Sequence, residues 1–282
     1  MLNIDRTEIH LSSRKVTPLT EKHFKKILDQ VGKLRKPLAY VFGDQNFMGI
    51  SFKVVAKTIL IPRPETECLV ELALKKIRSH HAPGSKLNIL DIGTGSGCIG
   101  LSLWHFLQKD YKVFLVLNDI SKKALRVARI NASNLGISKN SIQYDSSNIR
   151  HGFPGVRHSR PSPEAWDLPS PRGTRGEGGN PVFNLIISNP PYIPSKDWNS
   201  LAPEIKRWEP KIALIAGRDG LDLIRPIVTQ AKKFLTPQGM LILEIDHRQA
   251  KKVRVLMLKN SYKDVEIFKD MEGRDRIAYG RL

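Results

Sequence analysis

The sequence predicts an α/β protein built on a doubly wound, mostly parallel sheet of seven strands. From Lys86 onwards, short apolar runs typical of strands alternate with segments of helical periodicity, which is the order found in parallel sheets. A glycine-rich turn follows the first of these runs. Two β-rich runs, 265–269 and 276–280, close the sequence, and their short connection predicts an antiparallel pair.

Two small units are predicted before the sheet. Apolar residues at helical spacing predict a helical N-terminal domain over residues 1–46. The next stretch, residues 47–62, contains two short β-rich runs at 50–55 and 58–61 and predicts a β-hairpin linker. The large domain is then expected to occupy residues 63–282.

The large domain is predicted to alternate strands with helices. Its parallel strands are expected at 87–91, 113–118, 141–144, 183–188 and 240–245. Its helices are expected at 65–79, from the glycine turn to 106, from Ser121 onwards, at 221–235 and at 249–258.

One segment breaks this alternation. Residues 150–180 are dense in Pro, Gly, Ser and Arg and have almost no aliphatic periodicity. Structureless loops beyond about 15 residues are uncommon inside compact domains. We therefore predict a disordered surface insertion, with a nucleic-acid-binding loop as the alternative.

The composition excludes several classes of protein. The chain has 282 residues, a formal charge of +19 and a pI near 10.0, which favours a polyanionic partner such as nucleic acid or a ribosome. The arginines of the insertion contribute to that charge, so direct nucleic-acid binding is left open. Two cysteines cannot make a disulfide framework, and no metal site is expected. Neither a signal peptide nor an apolar run of membrane-spanning length is present, so the chain is expected in the cytoplasm.

A short motif, Asn189-Pro190-Pro191-Tyr192, follows the apolar run 183–188. The Asn189 side-chain carbonyl can accept one N–H, and the Pro190 carbonyl can accept another. Each proline restricts the residue before it, so both acceptors are held in place before a substrate arrives. The Tyr192 ring offers a face for a planar group. The motif thus suits a conjugated amino group, either a carboxamide or a base amine; the structural alternative is a strand-ending turn.

A second motif predicts a nucleoside-bearing cofactor. Glycines alternate through the turn after the first strand, and Asp119 ends the second strand, where a carboxylate can bind both hydroxyls of a ribose. Asp91, at the end of the first strand, fits badly beside a pyrophosphate and well beside a cation. The turn therefore favours S-adenosylmethionine over a dinucleotide. The candidate cofactor residues are Asp91, Gly93, Thr94, Gly95, Ser96, Gly97 and Asp119.

Taken together, these motifs resemble those of HemK-type methyltransferases, a family with a Rossmann-like sheet. That family methylates the side-chain nitrogen of the glutamine in the Gly-Gly-Gln motif of peptide chain release factors. The resemblance runs from about residue 35 to the C-terminus, outside the insertion. Its matching segments are 61–67, 91–97, 119–121, 187–193, Glu209-Pro210, Ala213-Leu214, 219–221, Glu244-Ile245, Gln249-Ala250 and Asp275-Arg276.

The resemblance also implies roles for individual residues. Gly93 to Gly97 and Asp119 would hold the cofactor, together with Asn189. Asn148 stands where the family usually has an acidic residue near the adenine, and its carbonyl can still accept from the adenine amino group. Asn189 and Pro190 would be catalytic, and the whole motif from Asn189 to Tyr192 would hold the glutamine amide. The N-terminal domain, which the family uses to dock the release factor, looks truncated.

Two other readings stay open from sequence. The same acceptors would serve an enzyme that methylates the amino group of adenine or guanine in DNA or RNA. The chain could also be an inactive ribosome-associated binding protein, although its glycine turn, Asp119 and Asn189 are intact. We expect release factors as the protein substrate, no membrane association and a monomer.

Overall fold

A computed structural model describes residues 18–149 and 182–282 of the chain. The helices are α1 (Pro18–Leu28), α2 (Leu38–Phe42), α3 (Pro64–His80), α4 (Cys98–Leu107), α5 (Lys122–Asn134), α6 (Pro203–Trp208), α7 (Ile224–Ala231) and α8 (Ala250–Lys259). The strands are β1 (Asp44–Phe47), β2 (Ile50–Lys53), β3 (Lys86–Ile92), β4 (Lys112–Asn118), β5 (Ile142–Asp145), β6 (Phe183–Ser188), β7 (Leu235–Glu244), β8 (Lys263–Lys269) and β9 (Asp275–Arg281).

The large sheet has seven strands in the order β5-β4-β3-β6-β7-β9-β8. The pairs from β5 through β7 are parallel, whereas β9 pairs antiparallel with both β7 and β8. The prediction of a mostly parallel, Rossmann-like sheet closed by an antiparallel pair is therefore confirmed. The chain order reverses between β3 and β6, and ligands of such sheets bind in the crevice at this switch point.

Apolar side chains cover both faces of the sheet. Ile89 belongs to the cluster that packs beneath α3 and α4, and its neighbour Leu90 belongs to the cluster beneath α7 and α8. Successive side chains of a strand point to opposite faces, so a continuous apolar run fills both layers at once. Because both faces are packed, each strand is fixed in its register, and the residues that follow it are fixed in position.

The hairpin differs from its prediction. Its strands are β1 and β2, which a two-residue turn connects, Met48-Gly49. Both turn residues have positive φ, 53° and 77°, as a type I′ hairpin turn requires. The predicted strand at 58–61 was wrong, because its two isoleucines fill a small core by the side of Tyr40 without joining a sheet. The hairpin thus begins earlier than predicted, inside the stretch assigned to the helical domain.

The boundary between α7 and β7 also differs. The helix ends at Ala231, and β7 begins at Leu235, ahead of the predicted start. Pro237 lies inside the strand, at the irregularity where the pairing with β6 shifts between Phe183 and Leu185. A proline is tolerated there because a bulge does not require its N–H for the ladder.

Two predicted features lie outside the described residues. These are the whole insertion at 150–180 and the first part of the N-terminal domain, residues 1–17. The domain boundaries and the truncation of the docking domain therefore stay predictions. Among the helices that the structure describes, none combines the length and the apolar character needed to span a bilayer.

Candidate functional site

The candidate site residues follow the carboxyl ends of neighbouring strands. In the sheet register, Ile92 of β3 lies between Asn118 of β4 and Ser188 of β6. The Ser188 hydroxyl donates to the Ile92 carbonyl at 2.7 Å, which ties the ends of these two strands together. The glycine turn, Asp119 and Asn189 consequently leave the sheet side by side at its switch point.

Bonds to β4 hold the glycine turn in shape. Gly93, Gly95 and Gly97 have φ of 70°, 56° and 85°, a backbone region that residues other than glycine rarely adopt. The Thr94 amide donates to the Asn118 carbonyl at 2.9 Å, and the Gly95 amide donates to Asp119 Oδ2, also at 2.9 Å. The glycine turn after β3 is therefore hydrogen-bonded to the end of β4 and to Asp119, in agreement with the predicted proximity of the two motifs.

Asp91 is a buried carboxyl beneath this turn. Its Oδ2 accepts hydrogen bonds from the Thr94 hydroxyl at 2.6 Å and from the Gly100 amide at 3.1 Å. Its Oδ1 is buried and has no hydrogen-bond partner among the residues that the structure describes. Burial raises the pKa of Asp91 to about 6, Asp119 adds to the rise, and the two hydrogen bonds oppose it. A nearby cation would stabilise its ionised form.

Asp119 is half-buried, and each of its oxygens is used by the backbone. Oδ2 accepts from Gly95, and Oδ1 accepts from the Ser121 amide at 2.8 Å. Burial raises the pKa of this carboxyl, and the two amide donors act against the rise. A carboxylate oxygen has further lone pairs, so the group is fixed in orientation and can still accept from a ligand.

The remaining cofactor candidates flank these groups. Thr94, Ser96 and Gly97 are buried within the turn, and the Ser96 carbonyl accepts from the Asn131 side chain at 2.8 Å. Asn148 is half-buried in the segment that follows β5. The structure thus places every sequence-predicted cofactor residue at the carboxyl edge of strands β3, β4, β5 and β6.

Asn189 is held by one end of its amide only. Its Nδ2 donates to the Thr66 hydroxyl at 3.1 Å, across from the start of α3. Within residues 18–149 and 182–282, its Oδ1 accepts no hydrogen bond. Pro190 is a buried residue, and the same part of the chain provides no donor to its carbonyl. Both acceptors singled out in the sequence are thus uncommitted within the described structure.

Tyr192 anchors the motif to the sheet. Its hydroxyl donates to Glu244 Oε1 at 3.2 Å, and its backbone carbonyl accepts from the Gln249 side chain at 2.9 Å. Its half-buried ring packs against the apolar cluster on the α7 and α8 side of the sheet. Burial, followed by the charge of Glu244, raises the pKa of Tyr192. Its stacking on a planar substrate, and a role for Pro191, stay predictions.

The segment before α3 is fastened to the other side of the site. Arg63 Nη2 pairs with Glu209 Oε1 at 2.5 Å, and the Glu209 carboxyl is buried. Burial raises the pKa of Glu209, while the Arg63 charge opposes the rise. The pair joins two segments that each resemble HemK-type enzymes, and Thr66, which follows Arg63 in the same segment, contacts Asn189.

Sequence reasoning missed three residues that position the site. Thr66 and Glu244 are buried behind Asn189, and Gln249 holds the Tyr192 carbonyl. Two signals were available: all three residues lie in segments that resemble HemK-type enzymes, and an acid at the end of an otherwise apolar strand, such as Glu244, requires a buried partner. No cluster of three or more His, Cys, Asp or Glu suited to a metal ion occurs within the described ranges.

Gly220 is expected to be irreplaceable for steric reasons. Its φ is 77°, and an added Cβ would lie 2.1 Å from the Tyr192 carbonyl oxygen and 2.4 Å from Gln249 Nε2. We expect Gly220→Ala to lower the free energy of unfolding by more than the roughly 1–3 kcal/mol that backbone strain alone costs. Urea denaturation measures the loss.

Gly273→Ala is the matched control for this substitution. Gly273 has φ of 78°, and an added Cβ there meets nothing within 4 Å. The control therefore carries the backbone strain without the collision. Equal losses in the two variants would show that contact with the Tyr192 carbonyl is unimportant.

The sheet order and its switch point define a class of protein, the Rossmann-like α/β proteins. A release factor glutamine methyltransferase from Bacillus cereus is 33% identical over 285 residues, covering 100% of this chain and 89% of that protein. The chain belongs to the release factor glutamine methyltransferase family. A relative of the same name from Clostridium acetobutylicum is 32% identical, and the match covers 98% of this chain and 86% of that protein. Another, from Geobacter sulfurreducens, is 36% identical, and the match covers 88% of this chain and 74% of that protein.

Family models and solved structures were also compared with the chain. No protein-family model matches the chain. A SAM-dependent methyltransferase structure from Agrobacterium tumefaciens aligns with 85% of this chain and 69% of its own, at 13% identity and a TM-score of 0.49. The similar relatives favour neither of the other two readings of the sequence, methylation of nucleic-acid bases or an inactive ribosome-associated protein.

Proposed function

We propose that this protein transfers a methyl group from S-adenosylmethionine to the side-chain amide nitrogen of the glutamine in the Gly-Gly-Gln motif of peptide chain release factors. The observation that carries the proposal is the pair of uncommitted acceptors, Asn189 Oδ1 and the Pro190 carbonyl, beside the glycine turn. Family membership supports the same substrate.

The residues at the sheet edge fit this cofactor. S-adenosylmethionine supplies a methyl group that its positively charged sulfur already activates. Asp91 offers a buried carboxyl oxygen with no partner in the described residues, which suits a nearby positive charge. Gly93 and Gly95 have open space where a Cβ would be, so a ligand can approach the backbone. Asp119 would accept from the ribose hydroxyls, and Asn148 would accept from the adenine amino group.

The substrate amide presents the chemical difficulty. Its nitrogen lone pair is delocalised into the carbonyl, so the nitrogen is a poor nucleophile. Asn189 Oδ1 and the Pro190 carbonyl each accept one of its N–H groups, which draws electron density towards nitrogen and fixes its direction. Holding two reactants in such a geometry can lower a barrier by on the order of 7–11 kcal/mol. Pro191 and Tyr192 complete the pocket, and the Tyr192 ring offers a stacking face.

The remaining parts of the proposal concern partners and location. The helical segment that precedes the hairpin would dock the release factor, and residues 63–282 would form the catalytic domain. We further propose that the enzyme acts as a monomer in the cytoplasm. Sedimentation at micromolar concentration, with and without a release factor, tests both the monomer and the docking.

Mass spectrometry tests the central proposal. The purified protein is incubated with S-adenosylmethionine and a release factor, and the peptide that carries Gly-Gly-Gln is analysed. We expect a mass gain of one methyl group on the glutamine. A release factor with glutamate at that position is the control and should gain none, because a carboxylate has no N–H to offer the two acceptors.

Labelled cofactor separates this function from the nearest alternative. The enzyme is incubated in parallel with release factor, DNA and RNA. Label in nucleic acid and none in the release factor would replace the proposal with amino-methylation of a base, which the same acceptors could serve.

A further inference from the structure

A chain of three hydrogen-bonded side chains lies behind Asn189. Asn189 Nδ2 donates to Thr66 Oγ1 at 3.1 Å, and the Thr66 hydroxyl donates to Glu244 Oε2 at 2.7 Å. The other carboxyl oxygen of Glu244 accepts from the Tyr192 hydroxyl at 3.2 Å. Thr66 is 2% exposed and Glu244 is 1% exposed, so water has little access to this chain.

With Glu244 ionised, the donors and acceptors in this chain allow one arrangement. A carboxylate accepts hydrogen bonds and donates none, so both hydroxyls that reach Glu244 must give it their protons. Once the Thr66 proton points at Glu244, the Thr66 oxygen faces Asn189 only as an acceptor. The amide of Asn189 must then turn its NH2 group to Thr66, and its carbonyl oxygen must face the other way.

That orientation is the one the reaction needs. An asparagine amide has nearly the same shape after a half-turn, so packing alone does not distinguish its oxygen from its nitrogen. With the NH2 group turned outwards, Asn189 would present donors to a substrate NH2 group, and binding would fail. The choice between the two orientations must therefore come from a hydrogen-bond partner.

We propose that Glu244, acting through the Thr66 hydroxyl, is the positioning residue that sets the orientation of the Asn189 amide and so makes the site specific for an NH2 group. The inference rests on the proposed function and adds two residues to it. Neither residue touches the substrate. Each acts only through the hydrogen bond to the next.

Rigid elements hold the chain in place. Thr66 is in the first turn of α3, where its amide also donates to the Arg63 carbonyl at 3.0 Å. Glu244 is the last residue of β7 and pairs with Ile277 of β9. Burial raises the pKa of Glu244, and the Thr66 hydroxyl, the charge of Arg276 and the Tyr192 hydroxyl act in the opposite direction.

Two substitutions of Thr66 test the inference. Thr66→Val keeps the shape and removes the hydroxyl, whereas Thr66→Ser keeps the hydroxyl. We expect Thr66→Val to lower kcat on a release factor roughly tenfold or more, and Thr66→Ser to restore most of it. Affinity for S-adenosylmethionine, measured by calorimetry, should be unchanged in both. Affinity for the release factor with S-adenosylhomocysteine present should fall in Thr66→Val only.

Glu244→Gln supplies a second test that does not depend on the folding of Thr66→Val. A glutamine can face Thr66 with its oxygen or with its NH2 group, and the second choice lets Thr66 donate to Asn189 and reverse the amide. We expect an intermediate kcat. The double variant Thr66→Val/Glu244→Gln should be no slower than Thr66→Val alone, because both changes act through one hydroxyl.

Ser102→Ala is the matched control, since Ser102 is buried and its hydroxyl has no partner in the described part of the chain. It should leave kcat unchanged. Wild-type rates in Thr66→Val, or a Thr66→Ser variant as slow as Thr66→Val, would overturn the inference and leave the proposed function standing. A wild-type enzyme that leaves the glutamine unmodified would overturn both.

Discussion

Asn189→Ala is expected to lower kcat on a release factor by about 10²–10³-fold, the usual result of removing one positioned group that acts in the transition state. The alanine removes the carbonyl oxygen that accepts a substrate N–H, and the Pro190 carbonyl alone cannot fix the direction of the nitrogen. The bond that Asn189 makes, at 3.1 Å to Thr66, lies behind the site and not in the glycine turn. Although Asn189 is also a candidate cofactor residue, the glycine turn and Asp119 keep their mutual contact, so affinity for S-adenosylmethionine should fall far less than kcat.

Single-turnover kinetics and calorimetry measure these two quantities separately. Asn260→Ala is a suitable control, because the Asn260 side chain donates a hydrogen bond to the Leu256 carbonyl at the C-terminal end of α8. We expect that control to leave kcat unchanged. If Asn189→Ala lost turnover and cofactor affinity in equal measure, Asn189 would be a structural residue of the edge and not an acceptor for the substrate.

The sequence was sufficient to predict the large sheet. Strands β3 and β6 are apolar on both faces, so their runs are continuous and stand out from the surrounding helices. Parallel strands bring their carboxyl ends to one edge, and this rule alone placed Asp119 next to the glycine turn. The observed bond from the Gly95 amide to Asp119, 2.9 Å long, follows from that placement.

Contacts between distant segments could not be predicted in this way. Thr66 and Glu244 are 178 residues apart in sequence, and neither has a local pattern that marks it as a partner of Asn189. The same limit explains the wrong strand at 58–61. Its alternating isoleucines reflect burial against Tyr40, whose hydroxyl donates a hydrogen bond to the Ile59 carbonyl at 2.5 Å. Alternation of apolar residues indicates which side chains are buried. A strand also requires a neighbouring strand that hydrogen bonds its backbone, and the sequence does not show one.

Asp119→Ala is expected to have the opposite signature to Asn189→Ala. It should weaken S-adenosylmethionine binding by roughly 10–100-fold, the cost of losing hydrogen bonds to a charged acceptor, while kcat at saturating cofactor stays near wild type. Two effects combine. The ribose hydroxyls lose their acceptor, and the Gly95 and Ser121 amides lose the carboxylate that holds the turn against β4.

Asp119→Asn separates these two contributions. An asparagine keeps one oxygen, which can accept from Gly95 or from Ser121 but not from both, so we expect a cofactor affinity between those of the wild type and Asp119→Ala. Asp110→Ala, at an exposed position before β4, is the control and should bind cofactor normally. Because Asn189 and Pro190 follow β6 and not β4, the substrate acceptors should stay in place in every Asp119 variant. A fall in kcat that persists at saturating cofactor would show that the carboxylate also aligns the reacting groups.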